Sequence, residues 1–276
     1  MQSTRTQLPE SVARLLRPVY YRAWRTRARM RCWLASRNDP AVLARYGFSA
    51  APPAMLRFRV SELVDLEPFF TVGRDASKNI ETCLAEAGTP LETFRSILDF
   101  GCGCGRVTLW MERQMAAGSE LHGTDTDAEA IAWCRDHLPA RFGVNAELPP
   151  LDYEDSSFDL IYAISVFTHL DEDRQFEWLH ELRRVLKPGG TLLFTVHGEQ
   201  VWKQALRRGE HLDALDKHGF LFARSGKMEG ICPDWYHTSY HTREYIMTEI
   251  APLFDTTTFI AGGMGIQDAV VVRKQQ

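Results

Sequence analysis

The feature that most constrains this chain is a run from Ile97 to Val107 with three glycines on alternate positions. It reads Ile-Leu-Asp-Phe-Gly-Cys-Gly-Cys-Gly-Arg-Val. Apolar residues and an acid precede the glycines Gly101, Gly103 and Gly105, and a helical pattern follows, which predicts a buried strand, a tight turn and a helix start. Such glycines let the backbone approach a ligand, and a helix N-terminus offers free N–H groups. The run favours a nucleotide-like ligand; a tight turn without a ligand is the plainer interpretation.

Strand and helix patterns alternate after residue 95. The predicted strands lie at residues 96–100, 120–124, 141–145, 158–164, 191–196, 256–261 and 268–273. The predicted helices lie at residues 77–87, 106–117, 127–137, 171–186 and 242–252. This alternation predicts an α/β fold with a mainly parallel sheet and helices on both faces. Because the link at 262–265 is too short for a crossover, we expect the last two strands to run antiparallel.

The N-terminal segment differs in charge from the rest of the chain. Residues 1–37 hold a surplus of about eight positive charges, and because the net charge is −4 the remaining residues carry about −12. The one acid in this segment is Glu10, and its arginines are Arg5, Arg14, Arg17, Arg22, Arg25, Arg27, Arg29, Arg31 and Arg37. An acidic body does not favour broad nucleic-acid binding, because phosphates need clustered cations.

Residues 11–37 also show helical spacing of apolar residues, with arginines between them. Tyr20 and Trp24 lie among these arginines, a pattern typical of a helix at a membrane surface. The plainer interpretation, which we favour, is an appended helix that packs on its own domain. Peripheral membrane contact through this basic helix stays an alternative.

The cysteines and the hydropathy of the chain indicate in which cellular compartment we expect it. The six cysteines are scattered and show no metal-binding spacing, so we expect reduced thiols and no metal. No secretory leader and no apolar run of bilayer length is recognisable. We therefore expect a cytoplasmic protein, with membrane association as the alternative.

An acid ends the second predicted strand. Asp125 follows Gly105 by twenty positions, and a carboxylate there can accept both hydroxyls of a ribose. The plainer interpretation is a helix cap. Since Asp127 is better placed to cap the next helix, Asp125 stays available for a ligand.

Four parts of the chain together resemble the class I S-adenosylmethionine-dependent methyltransferases. They are Ile97–Val107, Asp125, Phe158–Leu170 and Leu186–Gly190. The resemblance covers about residues 75–200 well and 240–273 more loosely. It implies a Rossmann-like, mainly parallel seven-stranded sheet with an antiparallel C-terminal strand, here with an N-terminal helical extension, and S-adenosylmethionine as the cofactor.

The resemblance also implies which residues surround the cofactor. The glycines face its methionine and ribose, Asp125 binds the ribose hydroxyls, Asn145 stands near the adenine amine, and Ser165 passes beneath the sulfonium. The full implied set is Asp99, Gly101, Gly103, Gly105, Asp125, Thr126, Asn145, Ala146, Ser165 and Val166.

His169 is the candidate general base. It follows the fourth predicted strand and precedes a helix start, where an imidazole tends to stay neutral and able to take a proton. A structural histidine that caps or packs on that helix is the alternative. We interpret Trp235–His241 as a lid or acceptor wall. The i, i+4 pair His237 and His241 would suit a metal only on a helix, and no third ligand is in register.

These observations predict a methyltransferase that acts on a small molecule or glycan, most simply on oxygen by in-line transfer. The chain lacks the Asn-Pro-Pro-Tyr type of motif after the fourth strand that the resemblance would link to nitrogen methylation. We expect an N-terminal extension at 1–74 and a cofactor-binding domain at 75–276, with an acceptor-side insertion at 197–241. An NAD-dependent oxidoreductase and a non-catalytic cofactor-binding subunit are the alternatives.

Overall fold

The structure is a computed structural model that describes residues 10–35, 39–207, 212–224 and 227–275. Its strands, numbered along the chain, are β1 (Ser96–Phe100), β2 (Glu120–Asp125), β3 (Arg141–Val144), β4 (Phe158–Ala163), β5 (Leu186–Val196), β6 (Phe220–Ala223), β7 (Thr238–His241), β8 (Thr256–Met264) and β9 (Gln267–Arg273). Seven of them form one sheet in the spatial order β3-β2-β1-β4-β5-β9-β8, and β6 pairs with β7 in a second, two-stranded sheet.

The direction of the strands confirms the predicted fold class. The pairs β1–β2, β1–β4, β2–β3 and β4–β5 are parallel. Strand β9 runs antiparallel to both of its neighbours, β5 and β8. The sheet is therefore mainly parallel and Rossmann-like, with a single antiparallel strand at the C-terminal end of the chain.

The helices lie before, between and after these strands. They are α1 (Glu10–Ala35), α2 (Asp39–Tyr46), α3 (Ala54–Ser61), α4 (Leu66–Glu86), α5 (Thr108–Met111), α6 (Ala128–His137), α7 (Glu172–Val185), α8 (Glu199–Arg207), α9 (Asp213–His218) and α10 (Arg243–Tyr245). Helix α10 continues as a π-helical turn at Ile246–Ile250 and a 3-10 turn at Ala251–Leu253. The predicted helix at 242–252 is thus present in three short pieces.

Both faces of the large sheet are buried. Neighbouring residues of a strand point to opposite faces, so Leu98 packs with Trp178 of α7 while Ile97 packs with Ile80 of α4. This two-sided burial explains why the neighbouring residues Ile97 and Leu98 of β1 are both apolar, rather than one apolar and one polar.

Two local predictions need correction. The helix predicted at 106–117 is only α5, because the chain tightens into i→i+3 bonds from Arg113 N to Trp110 O and from Gln114 N to Met111 O. The strand predicted at 191–196 begins earlier, at Leu186, and Gly189 within it donates to the carbonyls of residues 274 and 275. The predicted acceptor-side insertion at 197–241 contains α8, α9, β6 and β7.

The N-terminal helices pack against the glycine turn. Leu56 of α3 and Phe70 of α4 share one buried cluster with Cys104 and Trp110. Helix α4 runs through residue 74, so the division at 74/75 stays a prediction. The predicted helix at 11–37 is α1; residues 36 and 37 lie outside the described residues. Within the described ranges, every helix is too short or too polar to cross a bilayer.

Candidate cofactor and methyl-transfer site

A cavity of about 580 Å³ opens at the carboxyl ends of β1, β2 and β4. The predicted site residues that line it are Asp99, Gly101, Gly103, Asp125, Thr126, Asn145, Ala146, Ser165, Val166 and His169. Gly105 is placed differently. It lies behind the loop, where a Cβ would come within 2.5 Å of Leu138 Cδ1, so it closes the turn rather than lining the cavity.

The glycine loop is held against the neighbouring strand. Gly101 has φ +76°, and a Cβ there would lie 2.3 Å from Val166 Cγ2; Gly103 has φ +54°, and a Cβ there would lie 2.5 Å from Val60 Cγ2. Only glycine can adopt a positive φ and also leave room for the neighbouring valine side chain without strain. The glycines therefore allow close packing as well as approach to a ligand.

Three N–H groups of this loop are paired within the protein. Gly101 N and Cys102 N donate to Thr124 O at 2.8 and 3.0 Å, and Gly103 N donates to Asp125 Oδ2 at 2.8 Å. A dinucleotide's pyrophosphate binds to unpaired N–H groups. These three groups are therefore not available to a pyrophosphate, and this part of the loop better suits a ligand without phosphate.

Asp125 and Asp127 make different contacts, and the predicted helix cap at Asp127 is present. Asp127 caps α6 by accepting from Glu129 N and Ala130 N. Asp125 accepts from Gly103 N and, through Oδ1, from Asp127 N at 2.8 Å. Burial raises the pKa of Asp125. Each carboxylate oxygen keeps a further lone pair, so ribose hydroxyls can still donate to it.

Asp99 lies deeper, below the loop. Its Oδ2 accepts from Thr108 Oγ1 at 2.6 Å, and burial raises its pKa to about 7. A nearby cation would lower that pKa, because it stabilises the carboxylate. Together with Asp125 it gives the cavity two acids, a set that favours a cationic ligand.

Asn145 presents an acceptor to the cavity. Its backbone N–H donates to Asp125 O at 3.1 Å, and its Nδ2 donates to Ala146 O at 2.8 Å. Its Oδ1 is buried and accepts no hydrogen bond from the described part of the chain. A buried acceptor without a donor is costly, and an amine such as that of adenine would satisfy it.

Ser165 and Val166 follow β4 at the floor of the cavity. Ser165 has φ +61°, a conformation that is strained for a residue other than glycine. Its N–H donates to Thr195 Oγ1 at 2.8 Å, and its hydroxyl lies 3.1 Å from Gln267 Oε1. These contacts hold the strained turn in place, which is typical of residues at functional sites.

His169 is neutral in this structure. Its Nδ1 lies 2.6 Å from His237 O, so Nδ1 carries the proton and donates it. Its Nε2 is left as an acceptor, 2.8 Å from the Tyr236 hydroxyl. Burial lowers the pKa of His169 to about 3, and the nearby His197 adds to this effect. Tyr236 therefore donates to a neutral imidazole at the wall of the cavity.

The other predicted histidines have different surroundings. Nδ1 of His197 lies 3.1 Å from Ser239 O. His241 is fully buried and contacts Gln175 Oε1 at 2.9 Å through Nε2. Because His241 lies on strand β7, its i, i+4 spacing with His237 does not bring the two rings to one helix face. The described residues contain no cluster of three metal-ligating groups.

A second wall of the cavity comes from residues far from the glycine turn. We call it the cover and define it as residues 54–62 with residues 227–236. It contributes Arg59 and Val60 from α3, and Trp235 and Tyr236 from the predicted acceptor wall. Arg59 pairs with Asp127 at 3.1 Å and with Glu129. Sequence reasoning missed Arg59 and Val60, because no motif marks α3.

Arg106, directly after the glycine turn, also lines the cavity. Burial lowers its pKa, and its Nε is buried with no acceptor among the described residues. A carboxylate on the ligand would supply that acceptor. The site thus offers partners for a carboxylate, a cation, ribose hydroxyls and an amine, and S-adenosylmethionine carries all four.

Comparison with known proteins agrees with this chemistry. The family described as "methyltransferase domain" matches residues 97–190. The methyltransferase GfsG of Streptomyces halstedii is 33% identical over 102 residues, which cover 35% of this chain and 35% of that protein. The malonyl-(acyl-carrier protein) O-methyltransferase of Salmonella typhimurium is 33% identical over 103 residues, covering 37% of this chain and 39% of that protein.

Residues 97–190 match a methyltransferase domain, and this match agrees with the predicted family, enzyme class and cofactor. The chain spans little more than a third of the length of the curated relatives it matches. Human N-acetylserotonin methyltransferase, solved in complex with S-adenosylmethionine, superposes with a TM-score of 0.52 at 19% identity, over 89% of this chain and 67% of that one. That likeness confirms the Rossmann-like fold.

Proposed function

We propose that this methyltransferase binds S-adenosylmethionine in the cavity at the ends of β1, β2 and β4, and methylates an oxygen of a small molecule or glycan. The observation that carries the oxygen assignment is the contact of 2.8 Å between the Tyr236 hydroxyl and the neutral Nε2 of His169. An oxygen acceptor must lose a proton, and this pair offers a route for it.

The chain's own residues account for the binding of each part of the cofactor. Asp125 accepts from the ribose hydroxyls, and Asn145 Oδ1 accepts from the adenine amine. Arg106 pairs with the methionine carboxylate. Asp99 lies beneath the positively charged centre, where the attraction returns its carboxyl group to the charged form. Paired loop amides and two acids argue against the NAD-dependent alternative.

Bound S-adenosylmethionine would supply a methyl group that is activated by its positively charged sulfur. When the acceptor oxygen attacks the methyl carbon on the side opposite the sulfur, the carbon–sulfur bond breaks and the sulfur leaves as a neutral thioether. Tyr236 takes up the acceptor's proton at its hydroxyl oxygen and passes its own proton to His169 Nε2. The proton becomes strongly acidic as the new C–O bond forms, so a weakly basic imidazole suffices. After methyl transfer the positive charge lies on the imidazolium of His169, whose Nδ1 donates to His237 O.

The size and enclosure of the cavity support a small acceptor. A volume of about 580 Å³ lies within the range of small-molecule sites. Trp235 and Tyr236 of the cover line one side of the cavity, where aromatic side chains help to exclude water and to align the reactants. A glycan end or a small hydroxylated molecule suits such a space better than a folded protein surface does.

A labelled-methyl assay against hydroxylated acceptors tests this proposal. We expect His169→Gln and Tyr236→Phe each to lower turnover by about 10²–10⁴-fold, with S-adenosylmethionine affinity by calorimetry unchanged. His180→Gln is the matched control, because His180 is exposed on α7. Full turnover in Tyr236→Phe, or methylation confined to amine acceptors, would refute the proposed proton route.

A further inference from the structure

Helix α1 has a buried inner face. Ala28 and Cys32, one turn apart, are buried against Ala54 and Phe58 of α3. Trp24, one turn earlier, contacts Phe58 with the ring centres 5.4 Å apart and the rings tilted by 46°. This face fixes the helix to its own domain, so the favoured sequence interpretation holds for one side of α1.

The outer face of α1 is apolar as well. Five exposed residues on this face are spaced four, three, four and three positions apart. Residues with this spacing form a single stripe along a helix. They are Val19, Ala23, Thr26, Met30 and Trp33. The exposed fractions of Val19, Met30 and Trp33 are 67%, 59% and 64%. A helix that served only to pack on its domain would have a polar outer face.

Arginines flank this stripe on both sides. At 100° per residue, Arg22 and Arg29 lie on one edge of it, and Arg27 and Arg31 lie on the other. All four side chains are exposed. No acid occurs between residues 11 and 38, and among the described residues the only ion pair of these four joins Arg31 to Asp65, at 3.8 Å. The face thus combines an apolar centre with cationic margins.

We propose that the outer face of α1 binds the surface of an anionic phospholipid bilayer. The stripe inserts among the acyl chains near the headgroups, and the arginines contact lipid phosphates. Nucleic acid would use the arginines but not the apolar stripe between them. The arginines on both edges of the stripe would repel the same face of a second copy, which argues against a symmetric dimer there.

This placement brings the cover close to the bilayer. The inner face of α1 packs in one cluster with Met228 and Ile231 of the cover. Arg25 of α1 also lies 3.7 Å from Glu229. The proposal concerns lipid binding alone and stands whether or not oxygen is the methylated atom.

Vesicle flotation with the full chain tests it. We expect binding to vesicles of equal parts phosphatidylcholine and phosphatidylglycerol, and little binding to phosphatidylcholine alone. Removing three flanking charges in R22Q/R27Q/R29Q should weaken binding by roughly 100-fold, at about fivefold per arginine. M30S/W33S should weaken it as well. The matched control R141Q/R207Q/R243Q removes three exposed arginines on other elements and should bind as the unmodified chain does.

Three results would overturn the proposal. The first is equal affinity for both vesicle types. The second is equal loss of binding in the control and the α1 variants. The third is a dimer by light scattering that M30S/W33S abolishes, which would make a second copy the occupant. S-adenosylmethionine affinity, measured in parallel, reports whether each variant is folded and keeps this test separate from methyl transfer.

Discussion

The two walls of the cavity are built in different ways. The inner wall consists of strand ends and their turns, held by backbone hydrogen bonds such as Gly101 N to Thr124 O at 2.8 Å. The cover is held by side chains distant in sequence, such as Lys227, which pairs with Glu62 at 2.6 Å and lies 4.8 Å from the Trp24 ring centre. Glu62 and Lys227 are half-exposed, so their attraction is weak.

This difference indicates that the two walls contribute unequally to cofactor affinity. The inner wall is preorganised, because its polar groups are fixed by the sheet before any ligand binds. The cover depends on exposed ion pairs and a few aromatic contacts, each worth about 1 kcal/mol or less. Changes to the inner wall should therefore alter cofactor affinity strongly, and changes to the cover should alter it little.

The largest effect on affinity should follow loss of the Asp125 carboxylate. In Asp125→Ala the ribose hydroxyls lose their acceptor, and Gly103 N loses its partner. We expect S-adenosylmethionine affinity to fall by about 1–3 kcal/mol, measured by calorimetry. Asp136→Ala, an exposed acid on α6, is the control. Unchanged affinity in Asp125→Ala would remove the ribose assignment and the contrast between the walls.

The pH dependence of stability should reveal the buried histidine of β7, His241. Burial lowers the pKa of His241 to about 3, below its unfolded value of about 6.5. The unfolded chain therefore takes up the proton first, and stability present above pH 6.5 is lost as pH falls toward 3. We expect the unmodified chain to lose roughly 1–2 kcal/mol more than His241→Gln between pH 7 and pH 5.

Denaturant titrations at the two pH values measure this difference. His241→Gln keeps an amide donor for Gln175 Oε1, and His218→Gln, a change elsewhere in the chain, serves as the control. If His241→Gln and the unmodified chain lose equal stability, His241 is not held neutral by burial.

The smallest effect should come from the cover. Arg59→Gln removes the pairs with Asp127 and Glu129, and we expect S-adenosylmethionine affinity to change by less than about 1 kcal/mol. Arg45→Gln, which removes a pair with Glu67 elsewhere, is the matched comparison. A loss in Arg59→Gln as large as that in Asp125→Ala would mean that the cover binds the cofactor as firmly as the inner wall does.

The sequence predicted the inner wall far better than the cover, for a physical reason. Gly101 and Asp125 lie at turns whose chemistry is local, so residue type and spacing suffice to place them, whereas Ser165 is expected there from the family resemblance. Arg59 reaches the cavity through long-range packing, which no short pattern encodes, and the sequence predicts Tyr236 at the acceptor wall without its contact to His169. The contact between Tyr236 and His169 joins residues that are separated along the chain by the helices α7, α8 and α9 and the strands β5 and β6, and only the structure reveals it.

Long-range packing also explains why the helix predicted at 106–117 is shorter in the structure. The pattern from Val107 onward is helical in its apolar spacing, but tertiary packing against α4 leaves only one turn of α-helix. There a Cβ on Gly73 would lie 2.3 Å from Arg106 O, so the two segments are in tight contact. Propensity is a weak guide where such contacts dominate.

A crystal structure of the full chain with S-adenosylhomocysteine tests the central claim most directly. We predict both ribose hydroxyls within hydrogen-bonding distance of Asp125, the adenine amine beside Asn145 Oδ1, and the sulfur above Ser165 and Val166. A nucleoside bound elsewhere, or a cavity filled by the chain's own side chains while affinity persists, would contradict the account.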